Sequence, residues 1–572
     1  MTAATAPAGN DQQAPEAAGD AAGALDLLLA DAALGVLRRF RPDSSALRLA
    51  VALARRPQLV GRQAATLGSE LGRIAASRSQ IMPGRRDRRF ADPAWSHNPL
   101  LRRTVQVYLA AARAAEDLLA SADLDWRDDE RLRFVLLNLI AAVAPSNNPL
   151  LSPLGWKALI DTGGLSAVRG IRALAKDLAT APRVPAMVDP AAFEVGKDLA
   201  VTKGSVVLRT EMLELIQYQP TTERVYRYPL LIVPPMINKY YITDLAPGRS
   251  MAEYLIGQGL QVFTISWRNP DSRHRDWDTD SYGGAIVEAL AATREVSRAA
   301  KASICALCSG GIVSSMVAAH LSATGQLDQI ASLCLGVTVL DQAPAGTAGA
   351  VIDERTAAAA IAASRARGYL DGRALAEVFA WLRPDDLIWN YWVNNYLQGM
   401  TPPPFDILYW NADTTRLPAA LHRDFIGLAL ANALTVPDSA TMLGSPVDLS
   451  KVEVDSYVTA GIADHLCPWQ SCYRSTQLLG GAVRFVLSTS GHIASMVNPP
   501  TNPKASFQTA ADNPADPREW LAAAATVSGS WWPDYASWLA ARSGGDKKSP
   551  ARAGRKGYPV LCAAPGTYVL DR

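Results

Sequence analysis

Cysteine is scarce in this chain, six residues among 572. That is too few for a disulfide scaffold, and the length is ample for a full hydrophobic core. An excess of charge of either sign is missing as well. Lysine and arginine number 56, aspartate and glutamate 54, for a net charge of +2. That balance gives no global electrostatic case for nucleic acid or an anionic membrane as a partner. No stretch reaches the ~18 uninterrupted apolar residues of a membrane span, and the longest candidate, Phe425–Val436, has the length of a buried helix. The opening MTAATAPAGNDQQAPEAAGDAAG has neither a basic start nor an apolar run. A secretory signal is not expected, and a reducing, cytoplasmic setting is. Cys305 and Cys308 form a CxxC, but no second CxxC or nearby histidine pair completes a metal site. Neither a metal nor a redox cofactor is expected.

What is present divides the chain. Residues 1–24 are rich in Ala, Pro, Gly and Gln without periodicity and read as a disordered tail. Over 25–200 apolar residues recur at helical spacing, as in RRTVQVYLAAARAAEDLLA and RLRFVLLNLIAAVA, which predicts a mostly helical domain. The character changes near Val201. YPLLIVPPM, LQVFTISW, ASICALC, IASLCLGVTVL, VEVDSYVTAG and AVRFVLSTS are short apolar runs bounded by turn formers, with helix-like segments between several of them. Such runs fit strands buried on both faces of a parallel sheet, so an α/β domain is expected over 201–545. The alternation breaks at about 341–440 with a helical, aromatic-rich insertion of the size of a cap or lid. Residues 546–572 are basic, with Gly and Pro, and read as a C-terminal tail that can dock.

The most informative stretch is ASICALCSGGIVSSMVAAHL. A strand ends at Cys308, Ser309-Gly310-Gly311 follow, and a helix begins at once, which is the setting of a nucleophile elbow. Cysteine stands where serine is usual, and Ala306 where the first glycine is usual. The helix start directs its positive end at the Cys308 sulfur. A buried core cysteine is the competing reading, and it suits Cys305, inside the strand. Ser309 is the rival nucleophile, but it falls one place past the apex, and its backbone N–H is better placed as an oxyanion donor.

A cysteine nucleophile needs a base, and there are six histidines. His97, beside Asn98-Pro99, reads as a capping or surface residue; His274, His320 and His422 read as structural. Asp464 follows one late strand, and His492 follows the next. The order Cys308, Asp464, His492 matches that of α/β-hydrolases, and it can bring the three to the carboxyl edge of one sheet. His465 could compete as the base, but its neighbour is the acid, and it is taken as structural.

From about Asp92 onward the sequence resembles a polyhydroxyalkanoate synthase. The resemblance rests on DPAWSHNPLLRR, AAVAPSNNPLLSP, PLLIVPPMINKYYITDL, FTISWRNPD, LRPDDLIWNYWVNNYL, LYWNADTTRLP, ADHLCPW, VRFVLSTSGHIASMVNPP and GSWWPDYASWL, together with the cysteine-bearing box ALCSGG. The end, KKSPARAGRKGYPVLCAAPGTYVL, is similar to single-subunit enzymes that favour medium-chain monomers. The resemblance implies an α/β-hydrolase fold and a triad of Cys308 as nucleophile, Asp464, and His492 as general base. It implies (R)-3-hydroxyacyl-coenzyme A as substrate, polymerised with release of coenzyme A, and no cofactor. It also implies a cytoplasmic homodimer on polyester granules, in contact with the growing chain and with granule-associated proteins, with the N-terminal helices toward the granule. The second oxyanion donor falls in the PPMINK loop, at Met236 or Ile237. Ala494, two residues after His492, is expected to help set pocket volume. Trp410 and the aromatic segment WNYWVNNYL are expected either to cover the acyl tunnel or to pack in the ordinary way. A thioesterase or depolymerase on the same fold, and a noncatalytic granule binder, are the competing functions. Cysteine at the elbow speaks against the first, and an intact triad against the second.

Overall fold

The computed structural model describes residues 32–33, 44–85, 87–342, 354–464 and 466–572. The N-terminal segment 1–24 and His465 lie outside the described residues.

Eleven strands form the main sheet. In chain order they are β1 (Gly204–Arg209), β2 (Leu213–Tyr218), β3 (Leu230–Val233), β4 (Val262–Trp267), β5 (Ala302–Leu307), β6 (Ile330–Gly336), β7 (Ser456–Gly461), β8 (Val483–Ser488), β9 (Ser506–Thr509), β10 (Ala525–Ser528) and β11 (Cys562–Ala563). Across the sheet they run β10-β9-β8-β7-β6-β5-β3-β4-β2-β1-β11. The six central strands, β8 to β4 in that order, are parallel, and the strands outside them pair antiparallel. These six are the strands read from the sequence. β3, β4, β5 and β7 are buried at every residue, so both faces must be apolar and the run is continuous rather than alternating. The helices Met251–Gly257, Ser309–Ala323 and Trp469–Leu478 supply crossovers between parallel neighbours, and Thr279–Ser297 carries the chain from β4 past β3 to β5.

The antiparallel flanks were not read from the sequence. β9, β10 and β11 are short, and β2 hides a buried charge: Glu214 is fully enclosed. Its carboxylate accepts from the Arg209 guanidinium and from the N–H groups of Thr567 and Tyr568 at 2.8 and 3.0 Å. The C-terminal stretch thereby docks. Asp546–Lys548 pairs with Arg224–Tyr226, β11 extends the sheet, and Lys239 Nζ donates to the Asp571 carbonyl at 2.5 Å.

The N-terminal region is helical over Ser44–Ala54, Pro57–Ala75, Pro99–Ala120, Trp126–Ala142, Pro153–Asp161 and Leu165–Ala179. Pro57, Pro99 and Pro153 stand at helix starts, where a missing N–H costs nothing. Its own core is small, built on Phe90, Trp95, Val105, Tyr108 and Ala144. The insertion carries the helices Glu354–Arg367, Gly372–Leu382, Asp406–Ala412 and Ala419–Ala431, with π-helical turns at Asp385–Trp389 and Trp392–Leu397. Of the two readings of WNYWVNNYL, packing describes its rings. Trp392 Nε1 donates to the Asn147 carbonyl at 3.1 Å, and the Tyr396 hydroxyl to Asp177 at 2.7 Å. Gly170 lets the helix Leu165–Ala179 touch this backbone: a Cβ there would lie 2.0 Å from the Tyr396 carbonyl oxygen.

Candidate active site

Sheet register sets the site. Leu307 pairs with Gly336, Gly336 with Thr459, and Gly461 with Ser488, so the carboxyl ends of β5, β7 and β8 lie along one edge. Cys308, Asp464 and His492 follow those three strands within a few residues.

Cys308 has φ +50° and ψ −122°, a conformation a side chain adopts only when its surroundings enforce it. Its N–H donates to the Gly336 carbonyl at 2.9 Å, and its carbonyl accepts from the N–H of Gly311 at 2.9 Å and of Ile312 at 3.2 Å. The two glycines are needed for space. A Cβ on Gly310 would lie 2.6 Å from the Pro234 carbonyl oxygen, and one on Gly311 would lie 2.1 Å from Thr338 Oγ1. Ala306 is fully buried within β5, so alanine fits where the usual box has glycine.

His492 opens the helix His492–Met496 and is buried. Its Nδ1 lies 2.7 Å from Asp464 Oδ2. The other oxygen of Asp464 accepts from the N–H groups of Leu466 and Cys467 at 2.8 and 2.9 Å, which locks the carboxylate in place. With Nδ1 bound to Asp464, Nε2 is the nitrogen left to face sulfur. The Cys308 sulfur, the Cys467 sulfur and a His492 ring nitrogen all lie within 4.8 Å of one another.

Electrostatics follow from this packing. A hydrogen bond from the Cys467 thiol, opposed by burial and aided by His492 and the Ser309 N–H, holds the Cys308 thiol down to about 6. Cys467 is the other half of that pair: hydrogen bonding to Cys308, together with burial, raises its thiol well above the ordinary range. For His492 burial favours the neutral ring, but the Asp464 carboxylate and then Cys308 outweigh it and push the imidazole up to about 10. The favoured state is a Cys308 thiolate beside a His492 imidazolium.

The remaining candidates fall around this centre. Cys308 and His492 border a cavity of about 250 Å³ with Ile237, Trp410 and Ala494. Met236 gives its N–H to Ser309 Oγ at 3.1 Å, while Ile237, its neighbour, faces the cavity. Trp410 is buried, with its Nε1 donating to the Lys239 carbonyl at 2.7 Å. Ala494 lines the cavity and is otherwise exposed. Phe379, Arg383 and Leu387 bring the insertion over the same space. The other described histidines stand apart. His274 is bound by the Asp271 N–H, His320 meets Ser445, His422 meets Ser364, and His97, itself exposed, ends a short helix.

Sequence reasoning missed Cys467. Its signal was its place in ADHLCPW, three residues after Asp464, where the turn that satisfies the carboxylate carries the side chain to Cys308. The CxxC spacing pointed elsewhere. Cys305 pairs across the sheet with Cys334, with Tyr535 beside them, and does not join Cys308.

Comparison with known proteins agrees with this architecture. A family described as "Poly-beta-hydroxybutyrate polymerase (PhaC) N-terminus" matches residues 86–255, and "alpha/beta hydrolase fold" matches 229–499. Poly(3-hydroxyalkanoate) polymerase 2 of Ectopseudomonas oleovorans is 48% identical over 91% of this chain and 92% of its own. Polymerase 1 of the same organism is 45% identical over 94% of this chain and 96% of its own. Among solved structures, a monoacylglycerol lipase of Paleococcus ferrophilus aligns over 58% of this chain and 99% of its own, with 12% identity and a TM-score of 0.30. With an α/β-hydrolase sheet behind a helical N-terminal region, and relatives matching over nine-tenths of its length, the chain belongs to the poly(3-hydroxyalkanoate) polymerases, a family of acyltransferases.

Proposed function

We propose that the protein polymerises (R)-3-hydroxyacyl-coenzyme A into polyester, releasing coenzyme A, through an acyl thioester on Cys308. The observation that carries this reading is a preformed cysteine–histidine–aspartate constellation opening on an apolar cavity. The Cys308 thiolate attacks the thioester carbonyl, and the N–H groups of Ser309 and Ile237 receive the developing oxyanion. The coenzyme A thiolate leaves with the proton of His492. Sulfur has replaced sulfur, so the step is nearly balanced and the acyl group stays activated.

Acylation also prepares the second step. The thiolate contributes to holding the proton on His492, and once it is acylated that hold is gone. Neutral His492, oriented by Asp464, then takes the proton of the hydroxyl that attacks the Cys308 thioester. An ester forms, the carbon–sulfur bond breaks, and thiolate and imidazolium return. Apolar cavity walls, including Ile237, Phe379, Leu387 and Ile493, suit the alkyl group of the monomer and disfavour water as acceptor. Trp410 and Ala494 shape the same space, and the C-terminal resemblance favours medium-chain monomers.

Incubating the full chain with (R)-3-hydroxydecanoyl-coenzyme A tests this reading. Thiol release with insoluble polyester, both lost in Cys308→Ala, is expected. Release that yields only free hydroxy acid would reassign the chain to the hydrolases.

Location follows the same reading: a cytoplasmic homodimer at the polyester granule. Exposed apolar side chains gather on the N-terminal helices, among them Leu100, Leu137, Ile160 and Ile171, and no described helix is long and apolar enough to cross a membrane. Such exposed apolar side chains suit a hydrophobic polymer surface.

A further inference from the structure

We propose that Cys308, Cys467 and His492 form an inhibitory binding site for a thiophilic divalent metal ion, of which zinc is the type. Their three donor atoms lie within 4.8 Å of one another. A tetrahedral zinc with sulfur at ~2.3 Å and nitrogen at ~2.1 Å sets its donors roughly 3.5–3.8 Å apart, so closing the site needs only a small adjustment. Two thiolates and an imidazole are the donor set that selects zinc over the hard cations calcium and magnesium.

The surroundings are those of a metal site. The Nδ1 of His492 is held at 2.7 Å by Asp464, which fixes the ring and turns its other nitrogen toward the sulfurs. A carboxylate behind a metal-binding histidine is the usual outer support of such ligands. The same carboxylate holds the Cys467 backbone at 2.9 Å, and the Cys472 thiol lies 3.7 Å from the Cys467 carbonyl, so the third ligand is placed as firmly as the second. Cys308 and His492 border the cavity, which leaves a fourth position open to water. Binding releases the Cys467 thiol proton and the His492 ring proton to solvent, and the two thiolates then balance the dication inside a buried site, which favours the complex over an unpaired charge.

The site has a consequence for turnover. A metal held there takes up both the sulfur and the ring nitrogen that the polymerisation reading uses, so it competes with the thioester. That consequence rests on the proposed function, whereas binding itself does not. Cys467 is the residue that distinguishes the site from a plain cysteine–histidine pair, since two ligands alone hold zinc poorly.

The test is equilibrium dialysis of the metal-free full chain against zinc chloride, followed by cobalt(II) substitution read by absorption. One zinc per chain is expected, with a sulfur-to-cobalt charge-transfer band and the visible bands of tetrahedral cobalt. Cys467→Val is expected to weaken zinc binding by about 100-fold or more, and Asp464→Asn by about 10- to 100-fold. Circular dichroism checks that the variants fold, and Cys308→Ala removes a ligand independently if Cys467→Val does not. Substoichiometric binding at micromolar zinc, or affinity unchanged in both cysteine variants, would overturn the inference. Zinc binding that depends on Cys467 in a protein that makes no polymer would uphold the site while refuting the polymerase reading. Polymer synthesis unaffected by stoichiometric zinc would refute the inhibitory role alone.

Discussion

At the level of single residues the chemistry turns on one proton shared between Cys308 and His492. Below about 6 Cys308 holds its proton and the nucleophile is lost; above about 10 His492 gives its proton up and the departing thiolate has no acid. The acylation rate should therefore rise with pH through about 6 and fall near 10, the two limbs belonging to the coupled pair. A single-turnover pH profile of coenzyme A release checks this, and a flat profile would contradict it. Asp464→Asn removes the charge that keeps the His492 proton in place. It should cost about 10²–10⁴-fold in turnover with little change in melting temperature. Ala494→Leu, which adds bulk at the cavity wall, should shift incorporation toward shorter monomers; an unchanged polymer would remove Ala494 from the pocket. The triad residues were legible because each follows directly on a strand of recognisable composition, and the order of three such ends is itself a constraint. Cys467 was not, since its proximity to Cys308 depends on how the turn after β7 folds around a carboxylate.

The element that decides the site is the elbow between β5 and the helix Ser309–Ala323. Its two glycines fail in different ways. At Gly310 the obstacle is backbone, the Pro234 carbonyl oxygen at 2.6 Å, whereas at Gly311 it is the side chain of Thr338 at 2.1 Å. Gly310→Ala should therefore destabilise the fold by about 1–3 kcal/mol and displace Cys308, with no side-chain remedy. Gly311→Ala should lose comparable stability, and Thr338→Ala should recover part of it. Urea denaturation of the two singles and the double checks the contrast. This element was readable from a short run of sequence, because strand, apex and small neighbours are local. The cap was readable as an insertion, but the direction of its aromatic rings was not. Trp389, Trp392 and Tyr396 sit against one another, Trp392 and Tyr396 bond to the N-terminal region, and Trp410 instead borders the cavity. Helical periodicity assigns faces but does not name which neighbour each face meets.

For the whole molecule, the parallel centre of the sheet was legible because burial on both faces leaves a continuous apolar run. The antiparallel flanks were not: β9, β10 and β11 are four, four and two residues long, and β2 carries a buried glutamate whose partners come from the far end of the chain. Removing residues 562–572 would strip Glu214 of both backbone donors and leave it paired with Arg209 alone. Such a truncation should cost about 3–5 kcal/mol, the penalty of a buried charge losing its partners. Urea denaturation checks it, and an unchanged midpoint would show the docked tail to be dispensable. The N-terminal helices make the complementary prediction. Ile160→Ser with Ile171→Ser should reduce co-sedimentation with polyester granules by about tenfold or more, since each change removes an exposed apolar side chain from the proposed contact face. Activity on soluble thioester should remain.

That Cys308 carries the acyl group of the substrate as a thioester is open to direct test by mass spectrometry of a quenched reaction. Full-length protein mixed with (R)-3-hydroxydecanoyl-coenzyme A and acid-quenched within one turnover should show one acyl group per active chain. Peptide mapping should place it on Cys308, with an equal amount of coenzyme A released. Acyl mass on Ser309 or Cys467, or coenzyme A release with no acylated chain, would contradict the account.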